Sequence, residues 1–263
     1  MDTFVRRWAD RIDRALELQQ RHPEAAAVLE FYRKVLGFQK DLSAEKLSRF
    51  DPEQPLREQI DLSLALENLP TLFAITVESA PDLLAIKAKA LQSASQDEWQ
   101  YLLQAALLST DPAADDTASF FARACLQPLA EGLQAQLPDV PDYFQNTCPA
   151  CGGHPQAAIL RPEGDGGRRS LLCSFCLREW LFRRVVCPWC GEEDKQKLPS
   201  YSDQTSKFVR LHACDTCHCY LKAVDMTIDG NAVPLVDEVA LAVLDVWATD
   251  HGYTKIVRNL LGF

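Results

Sequence analysis

Four Cys-x-x-Cys pairs within seventy residues constrain the fold of this chain more than any other feature. Two residues between cysteines let one tight turn present both sulfur atoms to a metal ion, and two such pairs complete a tetrahedral set of thiolates. Disulfides are disfavoured in a reducing compartment, where such pairs bind metals instead. The pattern therefore predicts two four-cysteine metal sites, built from Cys148, Cys151, Cys173, Cys176, Cys187, Cys190, Cys214 and Cys217.

The spacing of the pairs predicts how they divide between the two sites. The first and third pairs lie in Cys-Pro-x-Cys-Gly motifs, at 148–152 and 187–191, which are typical of zinc ribbons and rubredoxins. The gaps of 21 and 23 residues that follow these motifs each suit a hairpin and a return strand. We therefore assign the first two pairs to one metal and the last two to the other. A cross-braced arrangement, in which alternate pairs share a metal, is the alternative.

Four-sulfur sites have no open coordination position, so hydrolytic metal catalysis is not expected. Zinc and iron suit the same geometry, and iron would add a redox couple. A reversible disulfide is the competing interpretation of a Cys-x-x-Cys pair, although such motifs usually occur singly. His218 and Cys219 are alternative ligands of the second site that we expect to be bystanders, and Cys125 is expected in a buried core.

Residues 1–145 are predicted to form an α-helical domain. Apolar residues recur at helical spacing at Phe4, Trp8, Ile12, Ala15 and Leu16. Further helices are predicted from Glu24 through Phe38, from Leu62 to Leu69 with a stop before Pro70, from Pro81, from Asp97 to Leu108 and from Thr117. The prolines at 138 and 141 mark the end of this domain, because proline stops a helix.

The rest of the chain is predicted to be β-rich, with strands at 157–160, 180–186, 207–212 and 220–226, a hairpin tip at 162–167, and a C-terminal helix from Asp237. The fold class is therefore α+β: an N-terminal all-α domain, then tandem rubredoxin-like or zinc-ribbon modules and a C-terminal helix. The predicted domains are residues 1–145, a first metal module at 146–180, a second at 181–228, and a C-terminal helical segment at 229–263.

The formal charge of −10 comes mostly from the helical half, which contains 14 basic and 23 acidic residues. This balance is a poor match for nucleic acid or an anionic membrane. The ribbon region contains six arginines, at 161, 168, 169, 178, 183 and 184, that would form either a patch for a protein partner or a solvated hairpin face.

Targeting signals and catalytic motifs are not found in the sequence. The N-terminus lacks the apolar core of a signal peptide, and no stretch has the length of a membrane span, so a cytoplasmic protein is expected. The sequence contains no phosphate-binding loop, nucleophile elbow, dinucleotide fingerprint or HExxH motif. An enzyme is therefore not expected.

The cysteine motifs and the C-terminal tail also resemble a known family. The resemblance rests on CPACGG at 148–153, CSFCLREW at 173–180, CPWCG at 187–191 and CDTCHCYLKAVD at 214–225, with Asp245, Gly252-Tyr253 and 259–262 in the tail. These segments resemble the formate dehydrogenase accessory protein FdhE family. The residues at 177–178 and 218–219 differ from the pattern of this family, at positions that vary within it.

The resemblance implies a non-enzymatic role in the assembly and activation of respiratory formate dehydrogenase, with binding of its catalytic subunit in the cytoplasm before export. It implies a helical domain with two rubredoxin-like sites, and it favours iron. We expect Glu179-Trp180 and 220–222 to pack between the ribbons and organise a binding surface. The alternatives are a one-electron redox protein and, less favoured, a nucleic-acid-binding ribbon protein.

Overall fold

The computed structural model describes residues 3–43, 49–109, 117–164, 166–203 and 206–263. In this part of the chain the helices are α1 (Thr3–Arg21), α2 (Ala26–Ser43), α3 (Leu62–Ser79), α4 (Asp82–Gln92), α5 (Gln96–Leu108), α6 (Thr117–Gln134), α7 (Pro234–Ala240) and α8 (Val243–Asp250). The strands are β1 (Pro155–Glu163), β2 (Gly166–Cys173), β3 (Glu179–Leu181), β4 (Ser200–Ser202), β5 (Val209–Ala213), β6 (Cys219–Asp225) and β7 (Thr254–Lys255). The predicted α+β class, with helices before a cysteine-bearing sheet, is confirmed.

The apolar face of α1 packs largely as its periodicity predicts. Trp8 and Ala15 are fully buried, whereas Leu16 is exposed and Leu18 takes its place in the core. The side chain of Phe4 lies outside the described part of the chain. Leu18 is buried instead of Leu16 because of the face of α1 that α2 covers. The apolar period of α1 alone does not specify that face.

The helix stop predicted at Pro70 is wrong, because α3 continues through this residue to Ser79. Pro70 lies on the exposed outer side of α3, whereas Leu69, Leu72 and Phe73 are fully buried on the inner side. Proline removes one backbone hydrogen bond, and on the outer side water can bind the carbonyl that is left free. Burial of the inner face therefore holds the helix together across the proline.

The metal-binding region forms one sheet with the strand order β3-β2-β1-β6-β5-β4, and β7 pairs with β6. Along this order the strands are antiparallel within each half, but β1 and β6 pair in parallel, from Ala157 opposite Lys222 to Leu160 opposite Asp225. The short β7 also pairs with β6 in parallel. Each half contributes three strands and one cysteine cluster. The parallel β1–β6 pairing joins the two modules side by side, and the predicted domain boundaries remain a prediction.

The strand predicted at 180–186 is mostly wrong, since β3 ends at Leu181. The chain beyond it turns, and its carbonyl groups face the buried guanidinium of Arg169. Arg169 Nη1 lies 3.1, 3.3 and 2.9 Å from the carbonyl oxygens of Arg183, Arg184 and Val186. These carbonyl groups accept hydrogen bonds from a side chain and not from a neighbouring strand, which explains why residues 182–186 do not extend β3.

The single C-terminal helix predicted from Asp237 is instead two short helices, α7 and α8, that are separated at Leu241. Val243 and Val246 of α8 are 52% and 59% exposed. At the break, Lys222 Nζ donates to the carbonyl oxygens of Glu238 and Leu241. An ammonium group at a helix C-terminus satisfies free carbonyls and complements the helix dipole, so β6 determines where α7 ends.

Lys222 also belongs to a buried ionic network between β6, the C-terminal helices and β7. Its ammonium lies 3.2 Å from a carboxylate oxygen of Glu238 and pairs with Asp245. Lys255 pairs with the same two carboxylates, and Asn259 Nδ2 donates to Glu238 at 2.7 Å. Two cations and two carboxylates therefore balance in a region from which solvent is excluded.

Buried ion pairs also join α1 to the rest of the protein. Arg11 binds Glu131 of α6 through two hydrogen bonds of 2.8 and 2.6 Å, and Arg14 binds Asp237 of α7. One apolar core runs from the helices through Cys148, Cys173 and Cys176. The first module thus shares its core with the helical half. Within the described residues, no helix is long and apolar enough to cross a membrane.

Candidate metal centres

The first four-cysteine cluster lies between the helices and the start of the sheet. The sulfur atoms of Cys148, Cys151, Cys173 and Cys176 all lie within 4.8 Å of one another. The Sγ atoms of Cys148 and Cys176 are 3.6 Å apart, and those of Cys151 and Cys173 are 3.4 Å apart. These distances are far longer than a disulfide bond of about 2 Å, so the four thiols remain free to bind a metal.

The second cluster brings Cys187, Cys190, Cys214 and Cys217 together in the same way. The Sγ distances are 3.7 Å for Cys187 to Cys217 and 3.7 Å for Cys190 to Cys214. Consecutive pairs therefore form each cluster, as the spacing predicts. The cross-braced arrangement would require alternate pairs to meet, and they do not.

Both clusters suit a tetrahedral metal ion. A tetrahedron of sulfur atoms about 2.3 Å from a central metal has edges of about 3.8 Å, close to the sulfur distances of 3.4–3.7 Å seen here. Backbone amides donate toward the sulfurs, from Ala150 to Cys148, from Phe175 to Cys173 and from Trp189 to Cys187, each at 3.4 Å. The two clusters could thus bind two metal ions, and the donor set suits zinc and iron equally.

Each Cys-x-x-Cys pair is followed by a residue with positive φ, which turns the chain back under the sulfurs. The angles are +72° at Gly152 and +80° at Gly191, as the two glycine motifs predict, but they are +56° at Leu177 and +56° at His218. Non-glycine residues rarely adopt this conformation. The two departures from the sequence pattern thus occupy the same turn position as the glycines, and the four turns share one backbone geometry.

The two clusters differ in their surroundings. Cys148, Cys173 and Cys176 are buried at the first cluster, whereas Cys190 is exposed and Cys217 is partly exposed at the second. Arg57 covers the first cluster: its guanidinium donates to the carbonyl of Cys151 at 3.1 Å and to that of Leu107 at 2.7 Å. We therefore expect a metal at the second cluster to exchange faster than one at the first.

Gly153 gives the first cluster the space it needs. A Cβ atom at this position would lie 3.2 Å from Cys173 Sγ and 3.3 Å from Cys151 Sγ. We expect Gly153→Ala to push the two sulfurs apart and to weaken metal binding at this cluster by about 1–3 kcal/mol, the usual cost of overpacking. Competition with a chromophoric chelator would measure this change.

Gly37→Ala is the control for this substitution. Gly37 lies in α2, and a Cβ atom added there would have no neighbouring atom within 4 Å. Alanine is the better helix former, by about 1 kcal/mol. Metal affinity should be unchanged in this variant, while its thermal stability rises. Equal metal affinity in the two alanine variants would contradict the role assigned to Gly153.

The cysteines outside the clusters lie where the sequence predicts. Cys125 is fully buried in α6, and burial raises the pKa of its thiol. Cys219 lies beside the second cluster with its sulfur 3.7 Å from the carbonyl of Cys217. The ring of His154 packs against Trp189 of the second cluster at 5.1 Å between centroids. This contact brings the turns of the two clusters together.

The expected packing of Glu179-Trp180 and 220–222 between the ribbons is wrong, and a binding surface organised by these residues stays a prediction. Trp180 is buried and donates through Nε1 to the carbonyl of Gln145, and Tyr220 and Lys222 pack beneath α8 against Asp245. These side chains support the interior of the protein. A lysine between apolar residues of a strand predicts an edge or surface position, so its burial could not be read from the pattern.

The six arginines of the ribbon region do not form a single exposed patch. Arg169 and Arg178 are buried. Arg161, Arg168 and Arg183 pair with glutamates at 2.8, 3.5 and 2.6 Å, which compensates their charge.

The metal-binding region matches the models of one protein family. Residues 147–184 match the family model described as FdhE, central domain, and residues 185–261 match the model described as FdhE, C-terminal domain. Together these matches include both cysteine clusters. The two models meet between the third strand of the first module and the first pair of the second.

Curated relatives match this chain over its whole length or over part of it. A protein named "Protein FdhE homolog" from Aquifex aeolicus is 27% identical, over 96% of this chain and 94% of its own length. A relative of the same name from Shewanella baltica is 25% identical, over 83% of this chain and 86% of its own length. One from Pseudomonas aeruginosa is 37% identical over 43% of this chain and 38% of its own length.

The fold is similar to a solved structure over nearly its whole length. The crystal structure of the FdhE protein from Pseudomonas aeruginosa aligns with a TM-score of 0.77 and 25% identity, covering 97% of this chain and 95% of that chain. The helical half, which the family models do not match, is included in this alignment. The family models, the full-length relatives and the shared fold together show that this chain is similar to the proteins of the FdhE family.

Proposed function

We propose that the protein is a non-enzymatic accessory factor for the assembly and activation of a respiratory formate dehydrogenase. It binds the catalytic subunit of that enzyme in the cytoplasm, before export, and acts as a maturation chaperone. The observation that carries the proposal is the match to FdhE domains over 147–261, the region that contains both cysteine clusters.

The chemistry of the clusters supports a role without catalysis. The proposed ligands are Cys148, Cys151, Cys173 and Cys176 for one metal and Cys187, Cys190, Cys214 and Cys217 for the other. Four thiolates fill the coordination sphere, so neither metal has a free position for water or substrate. The metals, iron or zinc with iron favoured by the resemblance, then hold the two halves of the sheet in place.

The helical half supplies exposed apolar side chains of the kind that a protein partner buries. Leu83 and Ile86 of α4 are 78% and 64% exposed, and Tyr101 and Leu108 of α5 are 74% and 80% exposed. Contiguous exposed apolar patches often mark contact surfaces, and we propose that these four side chains form such a patch. We assign contact with the catalytic subunit to this helical surface and to the second metal module, where Cys190 is exposed.

Affinity capture from anaerobically grown cells that make formate dehydrogenase tests this function. The intact protein should retain the catalytic subunit, whereas Cys187→Ser/Cys190→Ser should lose most of it together with one metal ion. Cys219→Ser is the matched control, since Cys219 lies beside the second cluster without belonging to it. The control should retain both the metal and the catalytic subunit.

A second pair of substitutions tests the helical part of the contact surface without changing the metal modules. Leu83→Ser/Tyr101→Ser should reduce capture and leave the metal content unchanged, because both side chains are exposed. If the intact protein is folded and metal-loaded but does not capture the catalytic subunit, the accessory function is contradicted.

A one-electron redox protein is the second candidate. The exposed sulfur of Cys190 favours it, since an electron-transfer site needs a ligand near the surface. The contact between His154 and Trp189 also places the two clusters side by side. Iron-loaded protein would then change colour reversibly on reduction and oxidation, at a potential that cellular electron donors can reach. A purely structural site does not require a potential in that range.

A further inference from the structure

A small cavity adjoins the second cysteine cluster, on the side that faces the sheet. Its volume is about 150 Å³, and its lining includes Arg169, Arg184, Lys195, His212 and the cluster residues Cys187 and Cys214. Ligand pockets for drug-sized molecules and cofactors measure about 300–1,000 Å³. The cavity therefore has room for a small ion or a few water molecules, and not for a nucleotide.

The charged groups of the cavity are unusual for an acidic protein. Three of the lining residues are cationic, and among the described residues that line the cavity there is no aspartate or glutamate. Two thiolates contribute negative charge, but a divalent metal ion would reduce the total for the whole cluster to −2. With the metal bound, the three cations outweigh the cluster, and the cavity is electropositive.

Arg169 is the buried cation at this site, with 3% of its surface exposed. Its Nη1 atom donates to three backbone carbonyls, but its Nε atom is buried and has no hydrogen-bond partner within the described chain. No carboxylate pairs with it there either. A buried polar donor without a partner costs free energy, and an anion in the cavity would supply the missing charge.

His212 adds a second donor of the appropriate kind. Its ring lines the cavity, and a ring N–H group can donate to a bound anion. Arg184 and Lys195 are exposed at the mouth, where their long side chains can reach a bound ion. The arrangement thus has a fixed cation at the base, a ring donor at the side and two mobile cations at the entrance.

We propose that this cavity binds one small oxyanion, either a carboxylate or a tetrahedral oxyanion, held by Arg169, Arg184, Lys195 and His212. Guanidinium groups and ring N–H groups are the donors that such anions prefer. Because the metal ion offsets the thiolate charge, the anion and the second metal stabilise each other's binding. This inference does not depend on the proposed accessory function.

Calorimetric titration of the full-length, zinc-loaded protein tests the site. Sodium sulfate and sodium formate serve as the two probes, in separate titrations at constant ionic strength. At least one of them should bind saturably with a stoichiometry of one. Binding of sulfate alone would identify a tetrahedral oxyanion site, and binding of formate alone would identify a carboxylate site.

Two double variants distinguish this cavity from general attraction of anions. Arg184→Gln/Lys195→Gln removes the two entrance cations and should weaken binding about tenfold or more. Arg183→Gln/Lys197→Gln makes the same change in net charge at neighbouring residues that pair with Glu193 and Glu192 outside the cavity, so it should leave the affinity nearly unchanged.

The linkage between anion and metal gives an independent measurement. The bound probe should slow the loss of the second zinc ion to a chelator, and the entrance variant should lose this effect. The proposal is overturned if neither probe binds saturably, or if the two double variants weaken binding equally.

Discussion

Replacing Cys148 and Cys176 by serine should leave a chain that binds one metal ion per molecule and no longer folds cooperatively. Formation of a structural zinc site contributes on the order of 10–16 kcal/mol, while the net stability of a domain is only about 5–15 kcal/mol. Both cysteines are buried in the core that the first cluster shares with the helical half. Loss of this site should therefore unfold helices as well as strands.

The matched variant is Cys190→Ser/Cys217→Ser at the second cluster. It should also lose one metal ion, but it should keep most of its helical structure, because Cys190 is exposed and Cys217 is partly exposed. Elemental analysis would count the metals, and circular dichroism during thermal unfolding would report the helices. Equal loss of helical signal in both variants would contradict the idea that the first site alone is part of the shared core.

Lys222→Met should lower the free energy of unfolding by about 3–5 kcal/mol. Methionine has a similar volume, so the main effect is to remove one of two cations that face Glu238 and Asp245 in a buried network. The carbonyls of Glu238 and Leu241 at the end of α7 also lose their donor. Denaturant unfolding of the metal-loaded protein would measure the change.

Lys197→Met provides the comparison, since Lys197 pairs with Glu192 at 3.6 Å on the surface. Exposed ion pairs contribute little, so its effect should stay within about 0.5 kcal/mol. In Lys222→Met/Asp245→Asn the buried charges balance again, and this double variant should recover part of the lost stability. A loss of less than about 1 kcal/mol for Lys222→Met alone would show that the network does not hold the C-terminal helices.

Local chemistry explains which parts of the fold could be predicted. The turns after Cys148 and Cys187 depend on neighbouring glycines, and the resulting N–H groups point at the sulfurs. The first residues of α4 and α5 lie within one residue of the starts predicted at Pro81 and Asp97, because Pro81 before α4 and the Ser95–Glu98 capping box of α5 are local signals. Prediction fails at Pro70, where burial of the inner face of α3 outweighs a local helix-breaking signal.

The candidate sites divide in the same way. Eight cysteines could be named as candidate ligands from spacing alone, since each pair needs only a tight turn. The positions of Arg57 and Arg169 beside the clusters could not be predicted from the sequence. Their hydrogen-bond partners are backbone carbonyls more than a dozen residues away along the chain. The cavity beside the second cluster exists only once β4, β5 and the turn after β3 come together around these groups.

By itself, the sequence determined that this protein has two four-cysteine clusters, a helical N-terminal half and a β-rich region with the FdhE motifs. These features depend on residues that are close together along the chain. The tertiary structure alone decided that β1 and β6 join the modules into one sheet, that Lys222 is buried, and that the C-terminal helix breaks at Leu241. These outcomes depend on which distant groups exclude water from one another, and no local pattern encodes that.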